Sequence, residues 1–114
     1  MAPDPSKRGV RFDERGFSVI EDGGVSTGMA WNDVAKIFVV KIDLFSYDEV
    51  RLGFGSRHAG RVVETGEDDE GFDPFVEEVL KRYPSIPRDW LTEVAYPPFE
   101  ENLRILWEGK EKDL

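Results

Sequence analysis

The sequence predicts an α+β domain: an antiparallel β-barrel or sandwich of about six short strands, followed by C-terminal helices. Three observations predict it. Apolar residues alternate with polar ones between Val10 and Thr65, turn residues punctuate that stretch every few positions, and the period changes from 2 to 3.6 after Gly66. At 114 residues, with 39% hydrophobic side chains and three Trp, eight Phe and three Tyr, the chain is long enough to bury one core. Its single-domain reading assigns residues 1–9 to a disordered tail, 10–107 to the domain with its helical extension, and 108–114 to a frayed end.

Each element follows from local pattern. Val10 and Phe12 alternate with Arg11 and Asp13, and Glu14-Arg15-Gly16 makes a turn. Phe17 and Val19 form a second strand, ended by Glu21-Asp22-Gly23-Gly24, where glycine accepts positive φ. Val25, Thr27, Met29 and Trp31 share one face of a third strand. Val34–Ile42 is apolar on both faces, the mark of a central strand. Beyond the Ser46-Tyr47-Asp48 turn, Val50, Leu52 and Phe54 alternate again, and a turn at Arg57–Gly60 leads to a sixth strand at Arg61–Thr65. Asp73 as N-cap and Pro74 at the first helical position start a helix with the apolar stripe Phe75, Val76, Val79, Leu80 and Tyr83. Glu77 and Glu78 stand four residues before Lys81 and Arg82, and Pro84 ends the helix. A second helix is expected at Arg88–Ala95 and a third from Phe99 through Leu103 and Leu106 to Trp107. Trp90, Tyr96, Phe99 and Trp107 are expected in the core.

Longer stretches carry a family resemblance. Phe12-Asp13…Gly16-Phe17, Trp31-Asn-Asp-Val-Ala-Lys-Ile37 through Lys41-Ile-Asp43, and Pro97-Pro-Phe99-Glu-Glu-Asn102 with Leu106-Trp107 resemble a family of small bacterial proteins, over residues 10–107. The Trp31–Ile37 segment and the final helix also resemble bacterial pleckstrin-homology-like domains. That resemblance implies a bent antiparallel barrel plugged at one end by a helix. It implies no activity.

The net charge of −9 is local. Residues 62–79 hold eight acids and no base, while the rest of the chain is within one charge of neutral. Such a surface repels phosphate backbones and anionic lipid, so neither nucleic acid nor stable membrane association is expected. It attracts a basic protein. The candidate interaction surface is Glu64, Glu67, Asp68, Asp69 and Glu70, whose plainer reading is a solvated loop leading into a helix N-terminus, where each carboxylate gains ~0.3–1 kcal/mol at best. Lys41, Asp43 and Asp48 form a candidate polar site, with an ion pair plus turn cap as the plainer reading.

No motif carries catalysis. Gly24-Val25-Ser26-Thr27-Gly28 matches G-x-S-x-G but continues as a strand, and the single histidine, His58, lies in another turn. Gly53-Phe54-Gly55 begins like a dinucleotide fingerprint without the helix that motif requires. The run Glu67–Glu70 lacks the alternating ligand spacing of a calcium loop, and the absence of cysteine removes thiolate sites. No apolar run approaches a membrane span, so a cytoplasmic protein is expected. The leading expectation is a non-enzymatic interaction module, immunity- or adaptor-like, without a cofactor. The alternative is small-ligand or lipid head-group binding in the barrel mouth, through Lys7, Arg8, Arg11 and Arg57.

Overall fold

A computed structural model of the chain describes residues 8–21, 24, 26–43, 48–58, 60–91 and 102–109. In order the elements are β1 (Gly9–Phe12), β2 (Gly16–Ile20), β3 (Ser26–Ala30), a 3-10 turn (Trp31–Asp33), β4 (Val34–Asp43), β5 (Asp48–Ser56), β6 (Val62–Gly66), α1 (Phe72–Arg82) and β7 (Asn102–Glu108). The six expected strands and the first helix all form, in the expected order.

The expected architecture does not. The strands divide into two antiparallel sheets, β1-β2-β3 and β6-β5-β4-β7, and among the described residues no ladder joins them into a barrel. The helix sits between β6 and β7 instead of closing the chain. The third expected helix is β7, paired antiparallel with β4. Its misleading signal has a physical cause. The register steps from Phe38↔Ile105 to Ile37↔Trp107, so Leu106 is an extra, bulged residue. That bulge lets adjacent Leu106 and Trp107 both pack against the core, which in one dimension looks like a helical stripe. Leu103, the third member of the supposed stripe, lies exposed with Ile105 on the outer face. Of the expected second helix, Trp90 and Leu91 are helical, and the remainder lies outside the described residues, as do Tyr96 and Phe99.

Strand β4 is central, with β5 and β7 on its two sides, which explains its apolar residues on both faces. One cluster unites both sheets and α1. Phe75 is its hub: the ring is fully buried, with ring centroids at 5.2 Å to Phe17, 5.5 Å to Phe54, and 6.0 Å to both Phe12 and Trp31. Trp90 is buried as expected, and Trp107 is half-buried against Tyr83 at 4.6 Å. No described helix is long and apolar enough to cross a membrane.

The helix start also differs from expectation. The N-cap is Gly71, not Asp73, and Asp73 and Pro74 fall within the first turn. Gly71 has φ +86°, and a Cβ there would stand 2.5 Å from the Val10 carbonyl oxygen. That close approach arises because β1 runs alongside the loop before α1: Val10 N–H donates to the Glu70 carbonyl at 2.8 Å, and Glu70 N–H to the Arg8 carbonyl at 3.1 Å. Arg8 and Gly9, assigned to the tail on composition, are therefore part of the fold.

Candidate functional site

The acidic stretch lies on β6, the following loop and the first turns of α1, and the structure divides it in two. One part is used internally. A tight turn, closed by Asp69 N–H to the Gly66 carbonyl at 2.9 Å, swings the Asp69 carboxylate back under the loop. There it accepts from Thr65 Oγ1 (2.8 Å), Gly66 N–H (2.9 Å) and Arg8 Nε (3.2 Å), and its side chain is only 6% exposed. Asp69 is a staple between β6, the loop and the chain entering β1. Arg8 is held on its other side by Glu21 at 3.0 Å.

Glu67 is a second internal contact. Its Oε1 accepts from the Val50 N–H at 3.2 Å, capping the β5 edge. Partial burial pushes its pKa above the ordinary carboxylate value, with Asp68, Glu49 and Asp73 adding repulsion and the Val50 bond opposing. The sign of the consequence follows. A carboxyl whose folded pKa is raised disfavours folding while ionised, and that cost fades as pH falls through its folded pKa. Glu67→Gln keeps an oxygen for Val50 and removes the charge. It is expected to raise the urea midpoint at pH 7, with the advantage shrinking as pH falls through the raised pKa toward the ordinary carboxylate range; a lowered midpoint at pH 7 would contradict this reading.

The other part faces outward. Asp68, Glu70 and Asp73 are exposed, and among the described residues their carboxylates make no hydrogen bond or ion pair. Glu64 is 40% exposed on β6, with its Oε1 3.9 Å from Arg51 Nε. Glu49 lies at the same distance from that nitrogen, which is buried and hydrogen-bonded to neither. Glu77 and Glu78 are spent on Arg88 (3.1 Å) and Arg82 (2.7 Å). The expected Glu78–Arg82 pair thus forms, while Glu77 turns to Arg88. Of the five proposed surface residues, Glu64, Asp68 and Glu70 stay outward, Glu67 is partly committed, and Asp69 points in.

The candidate polar site is partly assembled. Lys41 is 1% exposed, on β4 opposite Val50 and Asn102. Asp43 and Asp48 are register partners at the end of the β4–β5 ladder, two positions beyond Lys41. Lys41 therefore lies inside the protein, not on its surface.

The weaker motifs resolve as expected. Ser26 opens β3 with no helix after it, and Gly53-Phe54-Gly55 lies within β5, where the Phe38 ring packs against Gly53. His58 is exposed in a turn, with Nε2 3.5 Å from Asp33 Oδ1. The basic candidates for anion binding separate: Arg8 is paired internally, Arg57 donates to the Asn32 carbonyl at 2.9 Å, and Lys7 lies outside the described residues. Arg11 keeps no partner among the described residues, and sequence reasoning missed its neighbour in the same cleft, Arg15. It also missed Thr65 as a partner of Asp69, although Thr-Gly-x-x-Asp is a recognisable turn signal.

The class these features define is a small, β-rich domain with, among the described residues, one helix of several turns and a divided acidic surface. Comparison with known proteins gives no match to a family model, to a curated protein or to a solved structure.

Proposed function

We propose that the chain is a non-enzymatic protein-interaction module that takes a basic protein partner on Glu64, Asp68, Glu70 and Asp73. The observation that supports this reading is the division of the acidic stretch. Asp69 and Glu67 do the structural work of the loop, so the structural role leaves Asp68, Glu70 and Asp73 unexplained. These carboxylates stand on a loop stapled at both ends and on the first turn of a packed helix, so little conformational freedom is lost when a partner engages them. The N-terminal end of α1 carries partial positive charge that offsets only part of theirs. Lysine or arginine side chains of a partner complete the neutralisation, with long-range attraction raising the association rate.

A lysine-rich peptide serves as probe. Affinity measured by calorimetry on the full chain is expected to fall steeply between low salt and physiological salt. Neutralising the outward acids together (Asp68→Asn, Glu70→Gln, Asp73→Asn) is expected to abolish most of that salt dependence. Binding unchanged by the triple substitution would overturn the reading.

A further inference from the structure

The chain has nine arginines, all among the described residues, and seven have partners. Arg8, Arg51, Arg82 and Arg88 face carboxylates, Arg57 and Arg61 donate to the carbonyls of Asn32 and Gly28, and Arg104 is also engaged. The two guanidiniums without a hydrogen bond or ion pair among the described residues, Arg11 and Arg15, line the same cleft. In a chain of net charge −9, whose carboxylates outnumber its cations, two unspent guanidiniums on one cleft need a reason.

The cleft, about 390 Å³, is an open depression on the β1–β2 hairpin. Its charged groups are Arg11, Arg15 and Asp13, with Ser18 and Ala30 beside them. Arg11 and Ser18 are cross-strand partners, so they share a face. Arg15 projects from a turn fixed on several sides. Asp13 Oδ1 accepts from the N–H groups of Arg15 (2.8 Å) and Gly16 (3.1 Å). Trp31 donates its indole N–H to the Asp13 carbonyl (2.9 Å) and its backbone N–H to the Arg15 carbonyl (3.0 Å). The buried Trp31 thus anchors both ends of the segment that carries Arg15, and the backbone is set before any ligand arrives. Asp13 stays ionised, its carboxylate held by those two turn N–H groups, so the cleft carries one net positive charge. A monoanion balances it and a phosphate dianion does not.

We propose that this cleft binds a small organic monocarboxylate, with the carboxylate on Arg11 and Arg15 and its body over the Ser18 face of the hairpin. Guanidinium forks match the two oxygens of a carboxylate. The site shares no residue with the acidic surface, so it stands or falls independently of the partner reading. The carboxylate could be a free acid or a peptide C-terminus, and two probes separate the sources: benzoate, and N-acetylphenylalanine as the peptide-end mimic.

Amide shifts of the full chain followed by NMR during titration test this. Benzoate, N-acetylphenylalanine or both are expected to move the Arg11, Arg15 and Ser18 signals to saturation, with neutral benzyl alcohol moving none of them. The stronger of the two acids names the source. Arg11→Gln with Arg15→Gln is expected to weaken binding by about tenfold or more, and Arg11→Lys with Arg15→Lys by less, since charge survives and the fork does not. Urea midpoints of these exposed variants should match the parent, which separates lost binding from lost folding. Absence of hairpin shifts with both acids, equal shifts with benzyl alcohol, or saturation unchanged in the glutamine variant would overturn the proposal.

Discussion

Asp69→Ala is expected to destabilise the protein by about 2–4 kcal/mol, a large effect for a residue in an acidic loop. The cost comes from the donors left behind. Thr65 is fully buried, and its hydroxyl loses the carboxylate oxygen at 2.8 Å. The Gly66 N–H loses an acceptor at 2.9 Å, and Arg8 loses one of its two carboxylates. The Arg8 contact spans 61 residues of chain, so its loss weakens the tie between β1 and the loop as well as loosening the turn. Asp69→Asn, which keeps an acceptor oxygen but no charge, is expected to fall between alanine and the parent. Urea unfolding measures both, and an alanine variant within 0.5 kcal/mol of the parent, about the usual range for surface changes, would refute the staple.

Phe75→Ala is expected to cost about 3–5 kcal/mol. Among the described residues no other side chain touches so many aromatic neighbours from both sheets: Phe12 and Phe17 lie on the three-stranded sheet, Phe54 on the four-stranded one, and Trp31 on the turn between them. Removing the ring leaves a cavity where sheets and helix meet, with rigid rings around it that collapse poorly. Phe75→Leu fills much of that volume and is expected to cost clearly less. Near-ultraviolet circular dichroism gives a second readout, because Trp31 stacks on Phe75 with an interplanar angle of 21° and loses that neighbour. A midpoint for the alanine variant close to that of the leucine variant would show that Phe75 is not the hub.

Local structure was legible in the sequence because local forces set it. Strands β1 to β6 and α1 follow from alternation, glycine-rich turns and a 3.6-residue stripe, and β4 could be recognised as central from its two apolar faces. What the sequence hid is long-range. Strands of the right number do not say which edges pair, so a closed barrel and two separate sheets look alike until β7 is seen beside β4. β7 itself was disguised by one bulged residue, Leu106. The cap at Gly71 was hidden because its cause is the Val10 carbonyl, some sixty positions away. The acidic stretch shows the same limit at finer scale. Its eight carboxylates were visible as a charge excess, yet nothing in the run Glu67-Asp68-Asp69-Glu70 distinguishes the inward Asp69 from the outward Asp68. Only the turn at Gly66, and Arg8 arriving from the start of the chain, separate them.

That separation is the central claim, and the urea midpoint of the Asp68→Asn, Glu70→Gln, Asp73→Asn chain tests it most directly. With the internal contacts of Asp69 and Glu67 untouched, stability is expected to stay within about 0.5 kcal/mol of the parent, as for ordinary surface changes. A loss as large as that of Asp69→Ala would contradict the account, because it would make Asp68, Glu70 and Asp73 part of the scaffold and leave only Glu64 of the proposed surface for a partner.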